Sequence, residues 1–222
     1  MKRETLQKVI RFLLKVLTVT RFEGLEHLPD TGGVIIATNH MSRLDIPVLF
    51  CNQRRTDITA LVADKYRRYS FFAWFARTAG AIWLDRDKAD FAAFRAAAEV
   101  LENGTALGIA PEGTRSTTGV LLEGKPGTVL VALRTGVPIV PVGIAGTEDG
   151  MKKLMTFCRP KFIARFGPMF SIPPINRDDR ENQLKYWTNE IMCRIAALLP
   201  EKYHGFYAGH PRIRELVAQG GG

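Results

Sequence analysis

The chain has 222 residues, 46% hydrophobic residues and a formal net charge of +9. This is enough for one packed core, and no Ser-, Gly- or Pro-rich linker divides the chain, so one domain is expected. Three cysteines without paired spacing argue against a disulfide framework and a cysteine-rich zinc site, and they favour a reducing compartment. No apolar run reaches the roughly 20 residues of a membrane-spanning helix, and no secretion signal is recognised. The excess of cations favours an anionic partner, which is nucleic acid, an acidic membrane surface or a phosphorylated substrate.

Residues 1–20 predict an amphipathic basic helix. Apolar residues recur there at helical spacing with cations between them, and the apolar set is Leu6, Val9, Ile10, Leu13, Leu14 and Leu17. One interpretation is a helix lying in a membrane interface, where each cation contributes about 1 kcal/mol against anionic lipid. The other is a terminal helix packed on the core with a solvated basic face. The pattern leaves both open.

Strands and helices then alternate as far as residue 144. Strands are predicted at 16–22, 33–38, 58–63, 81–84, 107–110 and 137–144, and helices at 43–52, 69–78, 88–102 and 127–135. A strand at 162–166 and an amphipathic helix over 184–198 follow. This order predicts an α/β fold, with a largely parallel or mixed sheet flanked by helices. The main domain is expected over 21–200, and 201–222 is assigned as a C-terminal tail about which the sequence says little.

The string Asn39-His40-Met41-Ser42-Arg43-Leu44-Asp45 follows a predicted buried strand. If the Asp45 carboxylate meets one ring nitrogen of His40, the other nitrogen becomes a better base, and the pair can activate a hydroxyl. The alternative is structural, because Ser42-x-x-Asp45 approximates a capping box in which Asp45 only satisfies helix-start amides. No Gly-x-Ser-x-Gly string is present, so the hydroxyl is expected to come from a substrate.

The string Pro111-Glu112-Gly113-Thr114-Arg115-Ser116 follows another predicted strand. Arg115 can bind two phosphate oxygens, Glu112 can accept from a hydroxyl or hold that arginine, and Gly113 permits close backbone approach. Arg86, at the end of a further strand, is a third candidate. Each has a structural alternative, a surface turn for the string and a surface salt bridge for Arg86.

Two other kinds of site are disfavoured. The four histidines show no metal-ligand spacing, so no metal site and no cofactor are expected. The run from Gly119 to Lys125 matches the spacing of a phosphate-binding loop, but Pro126 replaces the Ser or Thr that would hold Mg²⁺.

Four blocks of the sequence, taken together, resemble the glycerophospholipid acyltransferase family, the bacterial 1-acylglycerol-3-phosphate acyltransferases and their relatives. They occur in the family's order: Asn39-His40 with Asp45, Gly80 to Arg86, Pro111 to Ser116, and Val137 to Val142. The chain departs from the family pattern at Ala110, where many members have Phe, and at Gly124, where an aromatic residue often precedes Lys-x-Gly. These departures spare the His40/Asp45 pair but weaken the assignment of a particular acceptor.

The resemblance implies a glycerol-3-phosphate acyltransferase-like fold and transfer of a fatty acyl group from an acyl-CoA or acyl-ACP thioester to a lysophospholipid hydroxyl. The acceptor it favours is 1-acyl-sn-glycerol 3-phosphate, which would become phosphatidic acid. His40 would be the general base and Asp45 its orienting partner. The glycerol phosphate would be bound through five positions, Arg86, Glu112, Gly113, Thr114 and Arg115. Alternatives are the same chemistry on another lysolipid or an amino-acid lipid, a non-catalytic basic lipid-binding module, and a hydrolase.

The expected partners follow from this chemistry. They are a lysophospholipid, an acyl thioester, acyl carrier protein as a candidate donor, and anionic lipids at a membrane surface. Large aromatic residues and cations are mixed over 66–77, which suits a membrane interface or, alternatively, core packing. No nucleic-acid-binding motif accompanies them, so no nucleic acid is expected. The protein is therefore expected to be peripheral or monotopic on the cytoplasmic face of a membrane.

Overall fold

The computed structural model describes residues 2–85 and 90–220 and shows a seven-stranded sheet covered by helices. The strands are β1 (Val19–Glu23), β2 (Val34–Thr38), β3 (Thr59–Ala63), β4 (Ile82–Leu84), β5 (Ala106–Ile109), β6 (Ile139–Ala145) and β7 (Lys161–Phe166). The helices are α1 (Arg3–Leu17), α2 (Asp45–Phe50), α3 (Ser70–Thr78), α4 (Phe91–Glu102), α5 (Gly127–Thr135), α6 (Gly150–Met155), α7 (Arg180–Ala197) and α8 (Pro211–Gly220). Short 3₁₀ turns occur at Leu25–His27, Asp64–Arg68, Glu201–Tyr203 and Gly205–Tyr207.

The strand order is β1-β7-β6-β2-β5-β3-β4, and every pair is parallel except β6 with β7. The predicted single-domain α/β fold with a largely parallel, mixed sheet is therefore confirmed. β2 lies at the centre, between β5 and β6. The carboxyl ends of these three strands meet at one edge of the sheet, so the segments that follow them are brought together there.

Both faces of the sheet are buried at the central strands β2, β5 and β6, which explains the nearly continuous apolar runs of β2 and β6. Ile35 and Ala37 pack on one side with α4, α5 and α7, whereas Val34 and Ile36 pack on the other with α2 and β7. This alternation of successive side chains is what a strand with helices or loops on both faces requires.

Helix α1 packs on the domain and also leaves an apolar face exposed. Leu6 is buried against α2 and α3, and the Arg3 guanidinium donates to the main-chain carbonyls of Thr56, Ile58 and Ala79. Arg11 donates to the carbonyls of the loop after α2. The exposed apolar residues of this helix are Val9, Phe12, Leu13, Val16 and Leu17. Part of its basic face is therefore used for packing, and five of its apolar side chains are exposed.

Residues 201–220 of the segment assigned as a C-terminal tail are folded. They form two 3₁₀ turns and α8, which packs against α7, and Tyr207 and Ile213 are buried. The sequence also gave no prediction for α6. Among residues 2–85 and 90–220, no helix has the length and apolarity needed to cross a membrane.

Candidate active site

His40 and Asp45 form a hydrogen-bonded pair at the carboxyl edge of the sheet. His40 follows β2 by two residues, and its Nδ1 lies 3.1 Å from Oδ2 of Asp45, the first residue of α2. The Asp45 side chain is 3% exposed and the His40 side chain 18% exposed. Nε2 of His40 has no hydrogen-bond partner within the described part of the chain. This geometry is that of a base oriented by a carboxylate.

The Asp45 carboxylate is held from several directions. Oδ2 also accepts from the main-chain amides of Met41 (2.8 Å) and Ser42 (2.7 Å), and Oδ1 accepts from Oγ1 of Thr147 at 2.5 Å. One carboxylate therefore both contacts the imidazole and accepts main-chain amides of the loop before α2. Ser42 is not the N-cap of α2, since the cap position is Leu44.

Glu112 fixes the main chain that carries His40. It is 1% exposed, and its two carboxylate oxygens accept from the amides of His40 (2.9 Å) and Leu122 (2.9 Å). Burial raises the pKa of Glu112, although the two amide hydrogen bonds oppose the shift. Among the described residues, no hydrogen bond or ion pair joins Glu112 to Arg115. Its carboxylate instead lies behind the histidine loop and positions it.

Asn39 joins the same loop to β6. Its Nδ2 donates to the carbonyl of Ile144 (2.9 Å), and its Oδ1 accepts from the amide of the same residue (2.7 Å). Because Asn39 is fully buried, these two bonds attach the residue before His40 firmly to the sheet.

A cavity of about 810 Å³ opens beside His40 and is lined mainly by apolar side chains. Its wall includes Leu13 and Leu17 of α1, Phe71 and Trp74 of α3, and Phe94 of α4. This volume lies within the range of sites for small molecules, roughly 300–1,000 Å³. The His40 imidazole therefore lies in the wall of a mainly apolar cavity.

Among the described residues, the cations Arg43 and Lys125 line this cavity, and the sequence reasoning assigned a role to neither. Lys125 lies over Gly113, because a Cβ built on that glycine would be 3.1 Å from Cδ and 3.5 Å from Nζ of Lys125. Arg43 also lines the cavity, and its guanidinium lies 5.6 Å from the ring centre of Phe72. The signal for Lys125 was present as the Lys-x-Gly pattern before a helix.

The remaining predicted site residues are distributed differently. Gly113 lines the cavity with φ +67°. Thr114 is exposed and Arg115 is half-buried, and neither is among the described residues that line the cavity. Nε of Arg115 is buried without a hydrogen-bond partner in the described part of the chain. Arg86 lies outside the residues that the structure describes.

Sequence reasoning also missed Thr147, which comes two residues after β6. No motif marks this threonine, and its role depends on β6 lying beside β2 in the sheet. Only the strand order shows that the residue following β6 meets the residue that starts α2.

Comparison with known proteins identifies the family of the chain. A family model described as Acyltransferase matches residues 19–145. A 1-acyl-sn-glycerol-3-phosphate acyltransferase of Borreliella burgdorferi is 26% identical over 178 residues, which are 79% of this chain and 71% of that protein. The enzyme of the same name from Saccharomyces cerevisiae is 35% identical over 162 residues, covering 70% and 52%. The mouse alpha enzyme is 30% identical over 183 residues, covering 78% and 64%.

A solved structure agrees with these sequence matches. The crystal structure of the 1-acyl-sn-glycerophosphate (LPA) acyltransferase PlsC from Thermotoga maritima superimposes with a TM-score of 0.68 and 27% sequence identity, covering 85% of this chain and 76% of that one. The chain spans less than two thirds of the yeast and mouse relatives. The segment that the family model matches is more than half of the chain and contains the strands and both strings that form the site, so the chain belongs to the acyltransferase family.

Proposed function

We propose that this protein transfers a fatty acyl group from an acyl-CoA or acyl-ACP thioester to the hydroxyl of 1-acyl-sn-glycerol 3-phosphate, giving phosphatidic acid. The observation that carries the proposal is the His40/Asp45 pair facing an apolar cavity with its second ring nitrogen free. The relatives named as 1-acyl-sn-glycerol-3-phosphate acyltransferases support the choice of acceptor.

The proposed reaction needs one base and no covalent enzyme intermediate. Nε2 of His40 takes the proton of the acceptor hydroxyl while the oxygen attacks the thioester carbonyl carbon. Asp45 holds Nδ1–H and stabilises the imidazolium that forms. The tetrahedral intermediate then collapses with cleavage of the C–S bond, and the imidazolium returns the proton to the leaving thiolate. The products are the new ester and the free thiol.

The apolar cavity is the proposed place for the acyl chains. Its wall is built from leucine and aromatic side chains of α1, α3 and α4, which exclude water from the thioester. The exposed apolar residues of α1 support a peripheral position of the protein on the cytoplasmic face of a membrane, where anionic lipids would meet its net positive charge.

Lys125 is the proposed addition to the phosphate site. It lies on the cavity wall beside Gly113, whereas Arg115 and Arg86 are assigned from family resemblance. If the acceptor phosphate binds in the cavity, Lys125→Ala raises the KM for the acceptor about tenfold or more, because a charge-assisted hydrogen bond is lost. If Arg115→Ala alone raises this KM, the phosphate binds outside the cavity wall and the assignment of Lys125 is wrong.

The proposed function is tested with His40→Ala and a panel of lysolipids, using one acyl donor, free-thiol release and product mass analysis. A positioned base contributes about 10²–10⁴ in rate, so the variant should lose turnover by that factor and still bind lipid. Thiol release without any lysolipid would indicate a hydrolase. Near-normal transfer by His40→Ala, or no transfer by the wild type to any acceptor, would refute the proposal.

A further inference from the structure

Helix α6 and the turn after it form an exposed apolar projection, here called the α6 tip (residues 150–159). Three large apolar side chains are exposed within seven residues, Met151, Met155 and Phe157, and Phe157 is 98% exposed. Single exposed apolar residues are normal on a protein surface, but a cluster of this kind marks an interaction site.

The main-chain conformation at Phe157 disfavours a large side chain, so folding stability does not explain why a phenylalanine is found there. Phe157 follows Thr156, the C-cap of α6, and has φ +57° at the position that glycine usually occupies. It is the only residue other than glycine with positive φ in the described chain. The turn is closed by hydrogen bonds from the amides of Phe157 to Leu154 (3.1 Å) and Cys158 to Lys153 (2.9 Å). A bulky side chain raises the free energy of this turn, and the exposed ring makes no packing contact that compensates.

The α6 tip is attached to α1 at the rim of the cavity. Leu154 lines the cavity together with Leu13 and Leu17 of α1. The Arg159 guanidinium donates to the carbonyls of Lys15 and Thr18, both at 2.8 Å. The exposed apolar side chains of the tip are therefore held next to the exposed apolar face of α1.

Cations flank this apolar surface. Lys15, Lys152 and Lys153 are exposed and form no ion pair with any described residue. Such a surface is complementary to an anionic lipid bilayer, because the apolar side chains can enter the acyl-chain region while the lysines contact the phosphates of the headgroups.

We propose that the α6 tip inserts Met155 and Phe157 into an anionic lipid bilayer, as a second anchor beside α1 that holds the cavity rim against the membrane. The inference deepens the proposed function and rests on it, since only a lipid substrate requires the rim to meet a bilayer. The strained turn holds the phenyl ring in an exposed position, whereas a glycine at residue 157 would provide no apolar side chain for insertion.

The chain carries a reporter for this test. Cys158 is exposed and adjacent to Phe157. The other two cysteines, Cys51 and Cys193, are buried, and burial raises the pKa of each thiol to about 12. At neutral pH a thiol-reactive, environment-sensitive fluorophore therefore labels Cys158, with Cys158→Ser as the control for selectivity.

Vesicles of equimolar phosphatidylcholine and phosphatidylglycerol, without lysolipid, are added to the labelled protein. We expect a blue shift and quenching by bromine-labelled lipid, both weaker with phosphatidylcholine alone. An unchanged spectrum while the protein sediments with the vesicles would overturn the proposal, because binding would then not involve the tip. A wild type that binds no vesicles would overturn it as well.

Matched variants measure the contribution of the ring. Phe157→Ala should bind the mixed vesicles about tenfold more weakly, since one aromatic side chain no longer leaves water. Phe206→Ala, at an exposed phenylalanine beside α7, should bind like the wild type. Phe157→Gly should bind as weakly as Phe157→Ala and unfold at the same or a higher temperature than the wild type, which separates lipid binding from folding. Equal vesicle binding by all variants contradicts the inference.

Acyl transfer by the wild type is measured separately, on detergent-dispersed substrate. If the wild type is active on dispersed substrate and Phe157→Ala binds vesicles normally, the proposed insertion of the α6 tip is refuted and the proposed function is not. Vesicle insertion without any acyl transfer would refute the proposed function. A fluorophore response to a small acidic carrier protein and not to vesicles would assign the tip to that partner and overturn the lipid proposal.

Discussion

Thr147→Val removes one hydrogen bond from the buried carboxylate that orients the candidate base. Oγ1 of Thr147 donates to Oδ1 of Asp45 at 2.5 Å, and both residues are buried. Valine keeps the shape of threonine, so the change leaves one carboxylate oxygen without its donor. A hydrogen bond to a charged group contributes about 1.5–3 kcal/mol, which corresponds to a loss of about 10-fold to 150-fold in rate if it is fully expressed in turnover. The KM for the acceptor should change little, since Thr147 acts through Asp45.

The assay is steady-state acyl transfer, with kcat and KM determined separately and the melting temperature measured in parallel. Thr147→Ser keeps the donor and should retain most of the turnover. A structural role alone would lower the melting temperature of Thr147→Val without lowering kcat of the protein that stays folded. Unchanged kcat, or equal losses in the valine and serine variants, would refute the positioning role.

Three further variants test the supports of the site. Glu112→Gln replaces one carboxylate oxygen by an NH2 group, which cannot accept from a main-chain amide, so one of the two hydrogen bonds is lost. We expect the free energy of unfolding to fall by about 1–3 kcal/mol and kcat to fall because His40 is less well positioned. Unchanged stability in a denaturant titration would contradict this. Gly113→Ala forces a positive φ on alanine and crowds the Lys125 side chain. We expect the KM for the acceptor to rise and the free energy of unfolding to fall by about 1–2 kcal/mol, whereas a mutation at an ordinary surface position would change neither. Arg3→Ala removes the three hydrogen bonds that attach the start of α1, so proteolysis within the first 20 residues should become faster. An unchanged cleavage rate would show that apolar packing and the hydrogen bonds of Gln7 and Arg11 suffice.

The sequence predicted the alternating elements because their apolar runs have helical or strand periodicity and end at turn residues. β2 and α5 were found in this way. α6 was missed because it is only six residues long and its exposed side includes the apolar residues Met151 and Met155, so it lacks the polar and apolar periodicity of a surface helix.

The candidate site was predictable only as far as its parts are contiguous in sequence. His40 and Asp45 are five residues apart, between the end of β2 and the start of α2. Because this connection is short, few arrangements of the two side chains are possible, and their contact could be predicted. The bonds of Asp45 to Thr147 and of Glu112 to the amide of His40 join residues 102 and 72 positions apart. Contacts of that kind depend on strand order, which no local pattern specifies.

The side chain of Asn39 has a consequence for the rigidity of the site. The last paired residues of β2 and β6 are Thr38 and Val142, and the Asn39 amide then binds both the N–H and the C=O of Ile144 as a neighbouring strand would. The main chain can therefore turn away from the sheet at His40 without leaving sheet hydrogen bonds unmade. The imidazole is thus attached to the central strands, which we expect to open last, and its position does not depend on the placement of α1 or of the α6 tip.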